Sequence, residues 1–148
     1  MKLQPLHSDF LKNYKKKKNQ IIFTRLAADL DTPVSLLLKL TKASVDSFVL
    51  ESVTGGEIRG RYSIIGMKPD LVWKCKNKKS EINRNALINR NNFSQLEEQP
   101  LDTLRALLSE SSIDIPDGLP ASCAGLFGYL GYDMIRLIEA LPGNVADP

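Results

Sequence analysis

The stretch "FVLESVTGGEIRGRYSIIGMKPD", residues 48–70, opens with an apolar run, turns on two glycines, and returns through a second apolar run to a proline. In the first run, alternation puts Phe48, Leu50 and Ser52 on one face and Val49, Glu51 and Val53 on the other, which predicts a β-strand. Apolar residues on both faces make it a central strand of its sheet. Gly55 and Gly56 supply the turn, and "RYSIIGM" reads as the returning strand, with Pro69 ending its pairing. The stretch therefore predicts neighbouring antiparallel strands.

Three functions suit such a stretch: a phosphate loop, a plain hairpin, or a pocket for a zwitterion. A phosphate loop needs glycines spaced G-x-x-x-x-G-K-[ST] or G-x-G-x-x-G between a strand and a helix. "TGGEIRGRYS" has neither spacing, carries Glu57 in the loop, and leads into a strand, so nucleotide binding is excluded. In the hairpin reading, Glu51, Glu57, Arg59 and Arg61 pair on an exposed surface. In the zwitterion reading, Glu51 or nearby carbonyls accept from an ammonium. The Ser52 hydroxyl, backbone N–H groups or Arg61 then donate to a carboxylate, and Leu50 lines the side-chain pocket. The local residues leave both readings open.

Outward from this stretch the chain alternates helix and strand signals. "QIIFTRLAAD" (20–29) predicts a strand. Thr32 as cap and Pro33 in the first turn start a helix that runs to about Ala43, with Val34, Leu37 and Leu38 sharing a face and Leu40 beside it. "LVWKCKN" and "SEINRNA" predict a polar-tipped hairpin. "NRNALINRNNFSQLEE" reads as a surface connection. "PLDTLRALLSES" repeats Leu101, Leu104, Leu107 and Leu108 at helical spacing, and "IDIPDGLPASC" is a loop punctuated by Pro and Gly. "AGLFGYLGYDMIRLIEALPG" predicts a glycine-studded strand joined to a helix over Tyr132–Ala140, with Tyr129 and Tyr132 packed at the junction.

Composition bounds the remaining possibilities. A globular chain of 148 residues buries roughly 68–70% of its unfolded surface, enough for a core without staple or metal. The hydrophobic fraction of 43% and charged fraction of 25% are those of a soluble globular protein. No run approaches the ~18 apolar residues of a spanning helix or forms a signal-peptide core, so the expected location is the cytoplasm. Cys75 and Cys123 stand far apart and His7 is the single histidine, which rules out a zinc site and predicts two buried thiols. The net charge of +3 comes largely from "KNYKKKK" (12–18) and "KCKNKK" (74–79). These runs read as solvated lysines, with neither nucleic acid nor membrane expected as a partner.

Taken together, "LES" (50–52), "GGEIRGRYSIIG" (55–66), "AGLFGYLGYDMIRLIEALP" (124–142) and "TPVSLLLKL" (32–40) resemble the N-terminal region of anthranilate synthase component I. The resemblance runs along nearly the whole chain. It implies an α+β fold with a mainly antiparallel sheet and packed helices, one half of a two-domain chorismate-enzyme sandwich. Residues 1–19 would be a basic arm and 20–142 the regulatory domain. Residues 143–148, rich in linker chemistry, would begin a link to a missing C-terminal catalytic domain. The implied reaction takes chorismate and ammonia to anthranilate and pyruvate, the first committed step of tryptophan biosynthesis. A glutamine amidotransferase subunit (component II) supplies the ammonia, and the missing domain binds Mg²⁺.

The resemblance also carries an L-tryptophan feedback site whose Leu-Glu-Ser motif matches Leu50, Glu51 and Ser52. Arg61 is added from residue chemistry alone, as a cation on the facing strand that would neutralise the ligand carboxylate, with a surface ion pair to Glu51 as the competing reading. No catalytic residue and no metal ligand is expected in this segment. The competing readings are the related aminodeoxychorismate synthase and a stand-alone amino-acid-binding module.

Overall fold

The computed structural model describes residues 2–41, 46–51 and 62–141. Its described elements are helices and antiparallel strands, an α+β chain. It divides into two compact units: residues 1–70 with 113–124, and residues 71–112 with 125–148.

The first unit begins with α1 (His7–Lys15). Beyond it, the expected strand over 20–29 is reduced to a single bridge. Gln4 and Phe23 exchange both backbone bonds, at 2.8 and 2.9 Å. Pro5 has no N–H with which to extend that ladder. Thr24 instead donates its hydroxyl to the Lys2 carbonyl at 2.9 Å, and Arg25 reaches the Gly118 carbonyl at 2.7 Å.

α2 (Pro33–Thr41) starts where Thr32 and Pro33 place it. The Thr32 hydroxyl accepts from the Ser35 N–H at 3.1 Å, and the Ser35 hydroxyl accepts from the Thr32 N–H at 3.0 Å, a reciprocal cap. Its inward side differs from the expected one. Leu36, Leu37 and Thr41 are buried or half-buried, whereas Val34, Leu38 and Leu40 are exposed. With leucines at 36, 37, 38 and 40 the helix is apolar on several sides, so periodicity does not choose among them. Ala43 lies outside the described residues.

β1 (Ser47–Leu50) and β2 (Ile64–Met67) pair antiparallel in the register Ser47↔Met67, Phe48↔Gly66, Val49↔Ile65 and Leu50↔Ile64. α2 packs against both strands. Among the described residues β1 pairs with β2 alone, so the expected central position is not seen there. Gly66 is required where it stands, because a Cβ would overlap the ring of Phe48 on the facing strand.

The second unit is built on β3 (Val72–Lys76), β4 (Lys79–Asn83) and β5 (Ser94–Leu96) in the order β3-β4-β5. The β3–β4 hairpin turns on Asn77 and Lys78, both with positive φ (51° and 61°), as a tight two-residue turn demands. β5 lies inside the segment expected as a surface connection. Of its three residues only Leu96 is half-buried, which is why a polar edge strand hid in the sequence. α3 (Pro100–Glu110) packs on β4.

The core of this unit is Ile82, Ala86 and Leu107, with Pro100 at the start of α3 also buried. This is smaller than chain length predicts, since many large apolar side chains stay at the surface. Around it runs a polar network. Trp73 donates its indole N–H to the Thr103 hydroxyl at 3.0 Å, and Thr103 donates to the Pro100 carbonyl at 2.7 Å. Asn83, 1% exposed, donates to the Asn89 carbonyl at 2.7 Å and accepts from the Asn85 N–H at 2.9 Å.

Residues 124–131 form no strand. Gly125 sits at φ +132°, a conformation L side chains rarely adopt, and Gly128 and Gly131 follow at three-residue steps, so the backbone has little reason to hold an extended ladder. Tyr132–Leu137 is a 3₁₀ helix in place of the expected α-helix. Tyr129 and Tyr132 are both exposed, so the expected aromatic packing does not occur. Cys75 is half-buried and Cys123, in a 3₁₀ turn (Ala121–Cys123), is exposed, against the expectation of two buried thiols.

Candidate functional site

The candidate site lies at the open end of the β1–β2 pair. Leu50 is the last residue of β1 and faces Ile64, the first of β2. Strand alternation puts Phe48 and Leu50 on one face, and register adds Ile64 and Gly66 across from them. Phe48, Ile64 and Gly66 are half-buried, whereas Leu50 is 49% exposed. The apolar face therefore opens toward solvent at the strand end. Glu51 follows directly, outside the ladder and exposed. Tyr62, half exposed, precedes the returning strand.

Of the four predicted site residues, the structure describes Leu50 and Glu51. They are consecutive at one strand end, and strand alternation assigns them to opposite faces. Ser52 and Arg61 lie outside the described residues. Chemically, the described part offers an exposed apolar side chain and, at the next position, an exposed anionic acceptor. That suits an ammonium-bearing ligand with an apolar side chain.

Two features of the first unit were not read from the sequence. Asp31, just before α2, accepts from Lys39 at 2.5 Å and from the Ser35 hydroxyl at 2.8 Å. The Lys39 ammonium, then the Ser35 hydroxyl, hold its carboxyl below the ordinary aspartate range. The cue was present as an acid eight residues before a lysine with a serine between, but only a helix geometry brings the three together. Arg25 bridges to Gly118 and lies 5.9 Å from the centre of the Phe23 ring, a long-range tie with no local sequence signal.

In the second unit, a concavity of about 720 Å³ is lined by Lys78 and residues 136–141. None of the predicted site residues lines it. Burial raises the Cys75 thiol above its ordinary value, which makes it a poor nucleophile. Among the described residues no three His, Cys, Asp or Glu side chains gather where they would hold a metal ion, so those residues do not fit the implied Mg²⁺. No described helix is long and apolar enough to cross a membrane.

Comparison with known proteins decides the kinship. Anthranilate synthase component 1 of Cereibacter sphaeroides is 62% identical over 139 residues, covering 94% of this chain and 28% of that protein. The chain belongs to the anthranilate synthase component 1 family. The same-named proteins of Acetivibrio thermocellus and a Synechocystis species are 37% and 35% identical, over 81% and 80% of this chain. The chain spans about a quarter of the length of these relatives, 28%, 23% and 22% respectively. No family model matches the chain, and no solved structure does either.

Within the anthranilate synthase component 1 family, identity of this extent covers the β1–β2 pair and the segment between its strands.

Proposed function

We propose that this chain is the N-terminal regulatory part of an anthranilate synthase, a lyase of tryptophan biosynthesis, and that it carries the L-tryptophan feedback site. The observation that carries the proposal is the 62% identity over 94% of the chain to a component 1 protein. The whole protein would convert chorismate and ammonia to anthranilate and pyruvate, with component II releasing the ammonia from glutamine. Chorismate and Mg²⁺ would be held by a C-terminal domain outside residues 1–148, which alone make no anthranilate.

In this reading Leu50 lines the indole pocket, and Glu51 accepts from the α-ammonium. Ser52 and Arg61 serve the carboxylate. The open apolar lip at Leu50 supports a pocket completed by another domain, as do the exposed leucines of α2. Regulation follows by linkage. Tryptophan favours an arrangement of the two domains that binds chorismate less well, and chorismate weakens tryptophan binding by the same factor. The site is incomplete in residues 1–148, which bind tryptophan weakly or not at all.

The test is anthranilate fluorescence from the whole protein given chorismate, Mg²⁺ and ammonia, with and without L-tryptophan. The expected result is formation of anthranilate that tryptophan suppresses, with suppression relieved by raising chorismate. Anthranilate formation indifferent to tryptophan would remove the regulatory role. Absence of anthranilate under these conditions would remove the enzyme assignment.

A further inference from the structure

The lysine run reads as plain solvation in the sequence, but the structure gives it a shape. Within the expected basic arm, His7–Lys15 form α1. Its end is closed by a Schellman pair: the Lys18 N–H bonds the Asn13 carbonyl at 3.0 Å, and the Lys17 N–H bonds the Tyr14 carbonyl at 2.9 Å. Lys17 holds the left-handed conformation this requires, at φ 53°. Lys12, Lys15, Lys16, Lys17 and Lys18 are thereby gathered at the carbonyl end of one helix, where the backbone dipole favours cations. None of the five is ion-paired among the described residues.

Apolar residues at the same helix are exposed, apart from the half-buried Phe10. Leu6, at the cap, is 57% exposed, Tyr14 66% and Leu11 38%. At helical spacing Leu6, Phe10 and Tyr14 form one stripe, with Lys12 on the opposite side, while Leu11 lies between them on the face it shares with Lys15. Phe10 and Tyr14 stack on each other, with centroids 5.8 Å apart and an interplanar angle of 21°. Each ring thus has one face already covered, unlike the free aromatic platforms that bind unpaired bases.

We propose that α1 with residues 16–18 is a docking site for an anionic membrane surface. The lysines meet lipid headgroups, and Leu6, Leu11 and Tyr14 enter the headgroup–acyl boundary. Charge complementarity selects an anionic partner, and the exposed apolar stripe selects a lipid over a nucleic acid. The contact is peripheral and reversible.

The test uses the whole protein and co-flotation with vesicles of phosphatidylcholine alone or of equal parts phosphatidylcholine and phosphatidylglycerol. Flotation is expected with the anionic vesicles only, and is expected to be lost near 1 M salt, where the screening length falls to about 3 Å. Each of Lys15→Gln and Lys16→Gln is expected to weaken binding roughly fivefold. Leu11→Ser with Tyr14→Ser is expected to abolish it while leaving the thermal melt in place.

Equal partition onto neutral and anionic vesicles, or none onto either, overturns the proposal, as does flotation unaffected by the lysine substitutions. Salt-sensitive binding of a single-stranded oligonucleotide that outcompetes the vesicles and survives the Leu11 and Tyr14 substitutions assigns the patch to nucleic acid instead. Because salt and lipid charge are varied on the unsubstituted protein, the outcome does not depend on any variant folding.

Discussion

Asn83 shows how much one polar side chain organises in the second unit. It ends β4 almost wholly buried, and its amide holds the loop over residues 84–89 at two points, the Asn85 N–H and the Asn89 carbonyl. Removing it leaves both backbone groups without that partner. Asn83→Ala is expected to lower stability by about 1–3 kcal/mol, read from the urea midpoint at unchanged slope.

Residues of this kind were hard to see in advance. "NRNALINRNN" reads as solvated because a buried asparagine and an exposed one are the same letter, and only the fold decides which is which. At the candidate site the residue types were legible. The alternation carries the expected strand through Glu51 to Val53, whereas β1 stops at Leu50 and Glu51 lies outside the ladder. The half-exposure of Leu50 was not legible, because alternation assigns a face and says nothing of what lies against it.

Elements bounded by strong local chemistry came out of the sequence nearly as they stand. α2 begins at its cap and proline, α3 at Pro100, and the β3–β4 hairpin turns on its polar tip. The elements that failed lacked such chemistry. Residues 124–131 carry strand-like side chains on a backbone that three glycines leave undecided, and β5 owes its existence to a partner strand.

The start of α2 also carries a pH signature. Asp31 is held below its ordinary pKa by Lys39 and Ser35. A carboxylate with a depressed folded-state pKa stabilises the fold above its unfolded value near 3.9, and loses that contribution as pH falls through the folded value. The difference in Tm between wild type and Asp31→Asn is therefore expected at neutral pH. It should shrink as pH falls below about 4 and diminish in high salt, as scanning calorimetry across pH would register.

At the scale of the whole molecule, the chain is two units whose fully buried apolar residues, among those described, are few. Val34, Leu38, Leu40 and Leu50 in the first unit stay at the surface, as do Tyr129 and Tyr132 in the second. Length alone predicts a fuller core. The chain spans about a quarter of the length of the relatives it matches. Under the proposed function, the exposed residues of α2 and β1 meet the rest of an anthranilate synthase, and a tryptophan pocket at Leu50–Ser52 closes there.

The most direct test of that claim is isothermal titration of L-tryptophan into the whole protein, wild type beside Ser52→Phe. Saturable binding to wild type, weakened at least about tenfold in the variant, a difference of about 1.4 kcal/mol, is the predicted result. Equal affinity in the two proteins, or no binding to either, would contradict it.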